Sequence, residues 1–110
     1  MGYHLILDLH GCDPKLLNDV ETLKKILKDV CEKSNLNIIK GDVHQFEPHG
    51  VTVFYILKES HISIHTWPEF SSAACDIFTC GEKDNILKAA DLLLEKMKPK
   101  KVKKELIVRE

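Results

Sequence analysis

ESHISIHTWPE, Glu59 to Glu69, packs hydroxyls, two imidazoles, an indole and two carboxylates into eleven residues, more reactive groups than packing alone requires. Ser60 is the first candidate nucleophile. A serine just after a short connection between two strands can attack the carbonyl carbon of its own preceding peptide bond, provided that bond is held in a strained geometry. Such strain costs about 1–3 kcal/mol, supplied by the surrounding fold. The amide becomes an ester, and removal of the serine α-proton expels the acyl group. Hydrolysis of what remains leaves a pyruvoyl group, a ketone at a new chain end. The plainer reading of the same residue is a hydrogen-bonded turn serine.

Two other chemistries compete for these residues. A metal site is suggested by His44, His49, His61 and His65 with four cysteines. ISI between His61 and His65 favours a strand, however, in which the two rings point the same way about 13 Å apart. Ligands of one tetrahedral ion lie about 2 Å from it, so no metal is expected. A Cys/His pair, with Cys80 attacking and His65 as its base, is assembled by fold rather than by adjacency and stays open at this level. Its plainer alternative is a half-buried strand thiol.

The elements that must position these groups follow from periodicity. Tyr3 to Leu9 alternates as a strand, stopped by Gly11, Asp13 and Pro14. Asp13 can cap a helix with Pro14 at its first position, and Leu16, Val20, Leu23, Leu27 and Val30 then recur at helical steps to about Ser34. Leu36 to Phe46 reads as a strand with a break or bulge at Gly41, followed by a turn at Glu47 to Gly50. Val51 to Leu57 and Ser60 to Trp67 are strands separated only by Lys58 and Glu59, and Ala73 to Cys80 is another. Ile86, Ala90, Leu93 and Met97 mark a second helix closed by Pro99, and Val102 to Val108 makes a last strand. This order predicts one α+β domain over residues 1–110, a two-layer sandwich of a mainly antiparallel sheet with two helices on one face.

Composition narrows the function. With 44% hydrophobic and 30% charged residues the chain is an ordinary globular one, and a net charge of −1 gives no whole-chain signal for nucleic acid or membrane. The basic stretch KMKPKKVKK, Lys96 to Lys104, has no aromatic residue for base stacking and reads as a solvated surface. No secretory leader or bilayer-length apolar run is apparent, which predicts a cytoplasmic protein. Cys12, Cys31, Cys75 and Cys80 form no C-x-x-C pair and are expected as free thiols.

GVTVFYILKESHISIHTWPEF followed by AACDIFTCGE, Gly50 to Glu82, resembles the small prokaryotic S-adenosylmethionine decarboxylase proenzymes, pyruvoyl enzymes of polyamine synthesis. The likeness extends more loosely to the first strand and to HQFEPHG, His44 to Gly50. It implies self-cleavage between Glu59 and Ser60, giving a β chain of residues 1–59 and an α chain of residues 60–110 that begins with a pyruvoyl group derived from Ser60. His65 matches the histidine that assists processing, and Thr52 a hydroxyl position that assists the acyl shift. Cys80 matches the thiol that donates a proton during decarboxylation. Phe46, Trp67 and Glu69 fall where family members contact the nucleoside, the phenylalanine by stacking and the glutamate through the ribose hydroxyls.

The chemistry suits these residue types. A pyruvoyl ketone forms a Schiff base with the substrate amine and takes up the electrons left as carbon dioxide departs, and a thiol is a reasonable acid for the proton that must follow. The resemblance also implies a homodimer of processed protomers making decarboxylated S-adenosylmethionine for spermidine. Alternatives are the same chemistry on arginine or ornithine, or an unprocessed binding module. Two departures stand out. Thr52 replaces the more usual serine, adding a methyl that restricts its rotamer, and Ser71-Ser72 replaces a Gly-Tyr pair. Ser60 and His65 also have opposite parity, so one regular strand would face them to opposite sides unless a bulge, or a cleavage site outside the strand proper, intervenes.

Overall fold

The computed structural model describes residues 1–110. Six strands form one antiparallel sheet: β1 Gly2–His10, β2 Ile38–Gln45, β3 Val51–Leu57, β4 Ser60–Trp67, β5 Ser72–Thr79 and β6 Lys101–Arg109, in the order β2-β3-β4-β5-β1-β6. Alternation decides what each face does. Leu5, Leu7 and Leu9 of β1, Val51, Val53, Tyr55 and Leu57 of β3, Ile62 and Ile64 of β4, and Cys75 and Ile77 of β5 are buried on one side. Each such leucine, isoleucine or valine contributes about 1.5–3 kcal/mol by leaving water.

The helices that cover this side are α1 Pro14–Leu17, α2 Val20–Lys33 and α3 Lys83–Met97. Leu23, Ile26, Leu27, Val30 and Cys31 of α2 and Ile86, Ala89, Ala90, Leu93 and Met97 of α3 complete the core. The α+β, two-layer architecture is as expected, with two corrections. The first helical stretch is two helices, because the chain breaks at Asn18 and Asp19. Asp19 starts α2 by accepting the Thr22 backbone N–H at 3.1 Å, a bond that holds its carboxyl below the usual range. Nor is Gly41 a bulge. The register shift falls between Ile38 and Lys40, while a Cβ at Gly41 would lie 2.2 Å from the Tyr55 ring, so this glycine is required by close cross-strand packing.

The other sheet face has no covering layer. It carries Phe54, Ile56, His61, Ser63, His65, Asp76, Phe78, His4 and Ile107, assigned by alternation and register. His61 lies 5.2 Å from Phe54 in a stacked arrangement and 5.9 Å from Phe78. Burial among these rings, followed by the nearby His4, lowers the His61 pKa. No helix is long and apolar enough to cross a membrane.

Candidate active site

The candidate residues gather at two places, one at each end of β4. At its start, Lys58 and Glu59 form a two-residue turn between the paired Leu57 and Ser60. Ser60 has φ of 145°, a region that L-residues rarely occupy. The value matters because Cβ lies about 120° from the residue's own carbonyl carbon around the N–Cα bond, so it comes within roughly 25° of eclipsing the carbonyl carbon of Glu59. At an ordinary extended φ of about −140° it would point well away. A five-membered ring through Oγ, Cβ, Cα, N and the preceding carbonyl carbon needs the eclipsed arrangement.

The Glu59 carbonyl oxygen accepts the Cys80 backbone N–H at 2.9 Å, a donor placed where negative charge would develop if that carbonyl were attacked. Cys80 itself follows the last residue of β5 and is the only exposed cysteine, the others being buried. Burial raises the pKa of Cys12. It also pushes Cys31 up to about 12, with the Glu59 charge adding to it, and raises Cys75 as well.

At the far end of β4, His65 pairs across the strands with Thr52, whose Oγ1 lies 2.9 Å from His65 Nδ1. Phe46, Trp67, Glu69, Thr52 and His65 line one cleft of about 330 Å³, with the Phe46 and Trp67 rings exposed. The loop that carries Phe46 is held by Asn18, whose Oδ1 accepts the Gly50 N–H at 2.9 Å and the Gln45 Nε2–H at 3.0 Å. Buried Thr66 accepts the Val51 N–H at 2.9 Å and donates to Leu17 O at 2.6 Å, tying α1 to the cleft floor. His49 lines the same cleft and its Nε2 lies 3.2 Å from Glu69 Oε1. Beyond the metal set already set aside, the sequence assigned His49 no role; its only signal was its place in the turn before the Thr52 strand.

The structure thus brings Thr52, His65, Phe46, Trp67 and Glu69 together, and separately Glu59, Ser60 and Cys80, but leaves the two groups apart. Five residue steps along the strand take Ser60 to His65, about 16 Å at roughly 3.3 Å per residue, whereas a general base acts at about 2.6–3.2 Å. Of the two resolutions offered, a bulge or a cleavage site outside the strand proper, the bulge is not there, since β4 pairs with β3 and β5 in unbroken register; the Glu59–Ser60 bond falls where the turn meets the first residue of β4. Strict alternation lapses at Ser60 instead, because its φ is not extended. The same span keeps His65 of one chain from serving as base to Cys80. No three His, Cys, Asp or Glu side chains are grouped to hold a metal ion.

The Ser71-Ser72 departure has a local consequence. A 3-10 turn over Pro68–Phe70 ends at Ser71 with φ of 52°, in the left-handed region, where a glycine is at ease and a serine is strained. Ser71→Gly is expected to stabilise the protein by up to about 1 kcal/mol, read as a higher midpoint in urea unfolding. Ser72 Oγ sits 3.0 Å from Phe70 O and 3.1 Å from His10 Nδ1.

The family model described as S-adenosylmethionine decarboxylase matches residues 3–110. An S-adenosylmethionine decarboxylase proenzyme of Sulfurihydrogenibium is 40% identical over 109 residues, covering 99% of this chain and 82% of the relative. One from Pyrococcus abyssi is 41% identical over 98 residues, covering 89% of this chain and 70% of the relative. The crystal structure of the adenosylmethionine decarboxylase from Aquifex aeolicus superposes with a TM-score of 0.92 at 37% identity, covering all of this chain and 94% of that one.

Proposed function

The chain belongs to the S-adenosylmethionine decarboxylase family, and from that premise we propose that it makes its own catalytic ketone by breaking the Glu59–Ser60 bond. It is a decarboxylase of S-adenosylmethionine. The observation that carries the self-processing reading is the pairing of a nearly eclipsed Ser60 Cβ with a Glu59 carbonyl already bonded to the Cys80 amide. Ser60 Oγ adds to the Glu59 carbonyl carbon and its proton passes to the Ser60 nitrogen as the C–N bond breaks. An ester with a free amine results. A base then takes the Ser60 α-proton, the Cβ–Oγ bond breaks, and Glu59 departs with Oγ as a carboxylate. One water enters and ammonia leaves to give the ketone, with no oxidant required.

His65 is assigned as that base. His65 Nδ1 lies 2.9 Å from Thr52 Oγ1; in the tautomer this role needs, Nδ1–H donates to Thr52, Nε2 carries the free lone pair, and the Thr52 O–H is left to donate to the oxyanion of the acyl shift. Distance requires this pair to come from a second copy. The uncovered sheet face supports that arrangement: Phe54, Ile56 and Ile107 are exposed on it, and His65 lies on it at the end of β4 opposite to Ser60. A two-fold axis through the face would bring the His65 end of one protomer to the Ser60 end of its partner, closing two identical sites.

When formed, the pyruvoyl group supplies the electron sink for loss of carbon dioxide. The chain's own residues do the rest. Phe46 and Trp67 offer exposed ring faces for the adenine. Glu69, with one oxygen on His49 Nε2, keeps its other oxygen for ribose hydroxyls, which arginine and ornithine lack. Exposed Cys80 supplies the proton. Cys80→Ala is therefore expected to cleave, because its backbone N–H remains, yet to decarboxylate about 10²–10⁴-fold more slowly. Carbon dioxide release from carboxyl-labelled S-adenosylmethionine measures this. A fully active variant would remove Cys80 from the mechanism, and release from labelled arginine or ornithine instead would reject the substrate.

A further inference from the structure

We propose that Asn37 is a positioning residue for self-cleavage, clamping the Glu59 side chain so that the neighbouring scissile carbonyl stays against the Cys80 amide. The proposal rests on the self-processing reading above. Asn37 lies in the connection between α2 and β2, far in sequence from the hairpin, and meets it at three points. Its backbone N–H donates to Glu59 Oε1 at 3.0 Å, its Nδ2–H to Glu59 Oε2 at 2.7 Å, and its carbonyl accepts the Lys58 N–H at 2.8 Å. Both carboxylate oxygens and the turn backbone are thereby engaged by one residue.

The clamp is itself anchored. Leu36 is buried and donates its N–H to Cys31 O at 2.8 Å, and the Ser34 N–H donates to Val30 O at 3.1 Å, so Asn37 is fixed to the end of α2 rather than to a loose loop. On the other side, a Cβ at Gly81 would lie 3.3 Å from Glu59 Cγ, so the Glu59 stem is packed against the Cys80–Gly81 backbone. Glu59 is held from α2 through its carboxylate and from β5 through its carbonyl. Burial acts to raise its carboxyl pKa, but the Asn37 hydrogen bonds outweigh it and Lys58 assists, leaving the group below the usual range and ionised at neutral pH. Strain at Ser60 persists only where the surroundings over-determine it. Released from Asn37, the turn can rotate about the Ser60 N–Cα bond and carry Cβ out of eclipse. Asn37 touches no reacting atom, so its effect is through geometry.

The test follows cleavage by denaturing electrophoresis from the moment of synthesis in a cell-free system. Asn37→Asp sets two carboxylates face to face and is expected to slow cleavage roughly ten- to a hundredfold relative to wild type. Combining Asn37→Asp with Glu59→Gln rebuilds the clamp with one bond reversed: the glutamine Oε1 accepts the residue-37 N–H and its Nε2–H donates to the new aspartate. That double variant is expected to cleave within a few-fold of wild type. Thermal melting of each variant, in a Ser60→Ala background that blocks cleavage, separates the effect from folding. A single variant as fast as wild type, or a double variant as slow as the single, overturns the clamp alone. An uncleaved wild type overturns the self-processing reading and the clamp with it.

Discussion

Ser60→Ala is expected to remain a single chain of 110 residues however long it is kept, and to release no carbon dioxide from S-adenosylmethionine above background. Alanine supplies Cβ but no Oγ, so neither the acyl shift nor the elimination has an atom through which to proceed. The folded state changes little. Alanine at φ of 145° bears the same steric cost as serine, and the Ser60 hydroxyl makes no hydrogen bond to another side chain, so stability should stay within about 0.5 kcal/mol of wild type. Urea unfolding of the two uncleaved forms checks this. Cleavage of Ser60→Ala at the same bond would mean that another group attacks the Glu59 carbonyl.

Two inactive variants are expected to restore one another. His65→Ala keeps Ser60 but lacks the base, and Ser60→Ala keeps the base but lacks the nucleophile, so each alone stays full length over the time in which wild type matures. Produced together, they form mixed dimers in which the Ser60 end of the His65→Ala chain meets the His65 end of the Ser60→Ala chain. Random pairing places about half of the His65→Ala chains in such dimers, and those chains are the ones expected to cleave. Distinct affinity tags identify which chain is cut. The prediction follows from the length of strand between the two residues, about 16 Å: if His65 acts within its own chain, co-production rescues nothing.

What the sequence made legible was what periodicity encodes. β1 and β3 alternate cleanly because one sheet face is buried, and the Ile86 to Met97 spacing marks α3 for the same reason. The split between α1 and α2 escaped because Leu16 and Val20 keep helical spacing across the break; only Asn18 and Asp19, a turn-forming pair, hinted at it. Gly41 was misread because a glycine in a strand signals either a bulge or a close backbone approach, and only the Tyr55 ring decides which. Among site residues, the identities came from the resemblance, while their arrangement did not. His49 and Asn37 reach Glu69 and Glu59 from loops folded back from elsewhere, which no local pattern reveals. The opposite parity of Ser60 and His65 did not settle their relation, because the Ser60 φ departs from an extended strand; the length of β4 between them is what keeps them apart.

The most direct measurement is intact mass spectrometry of the purified, matured protein. The expected result is two chains, residues 1–59 ending in a free Glu59 carboxylate and residues 60–110 beginning with a pyruvoyl group that blocks sequential degradation and reacts with hydrazines. A single unbroken chain, or two chains of which the second begins with an ordinary serine amine, would contradict it.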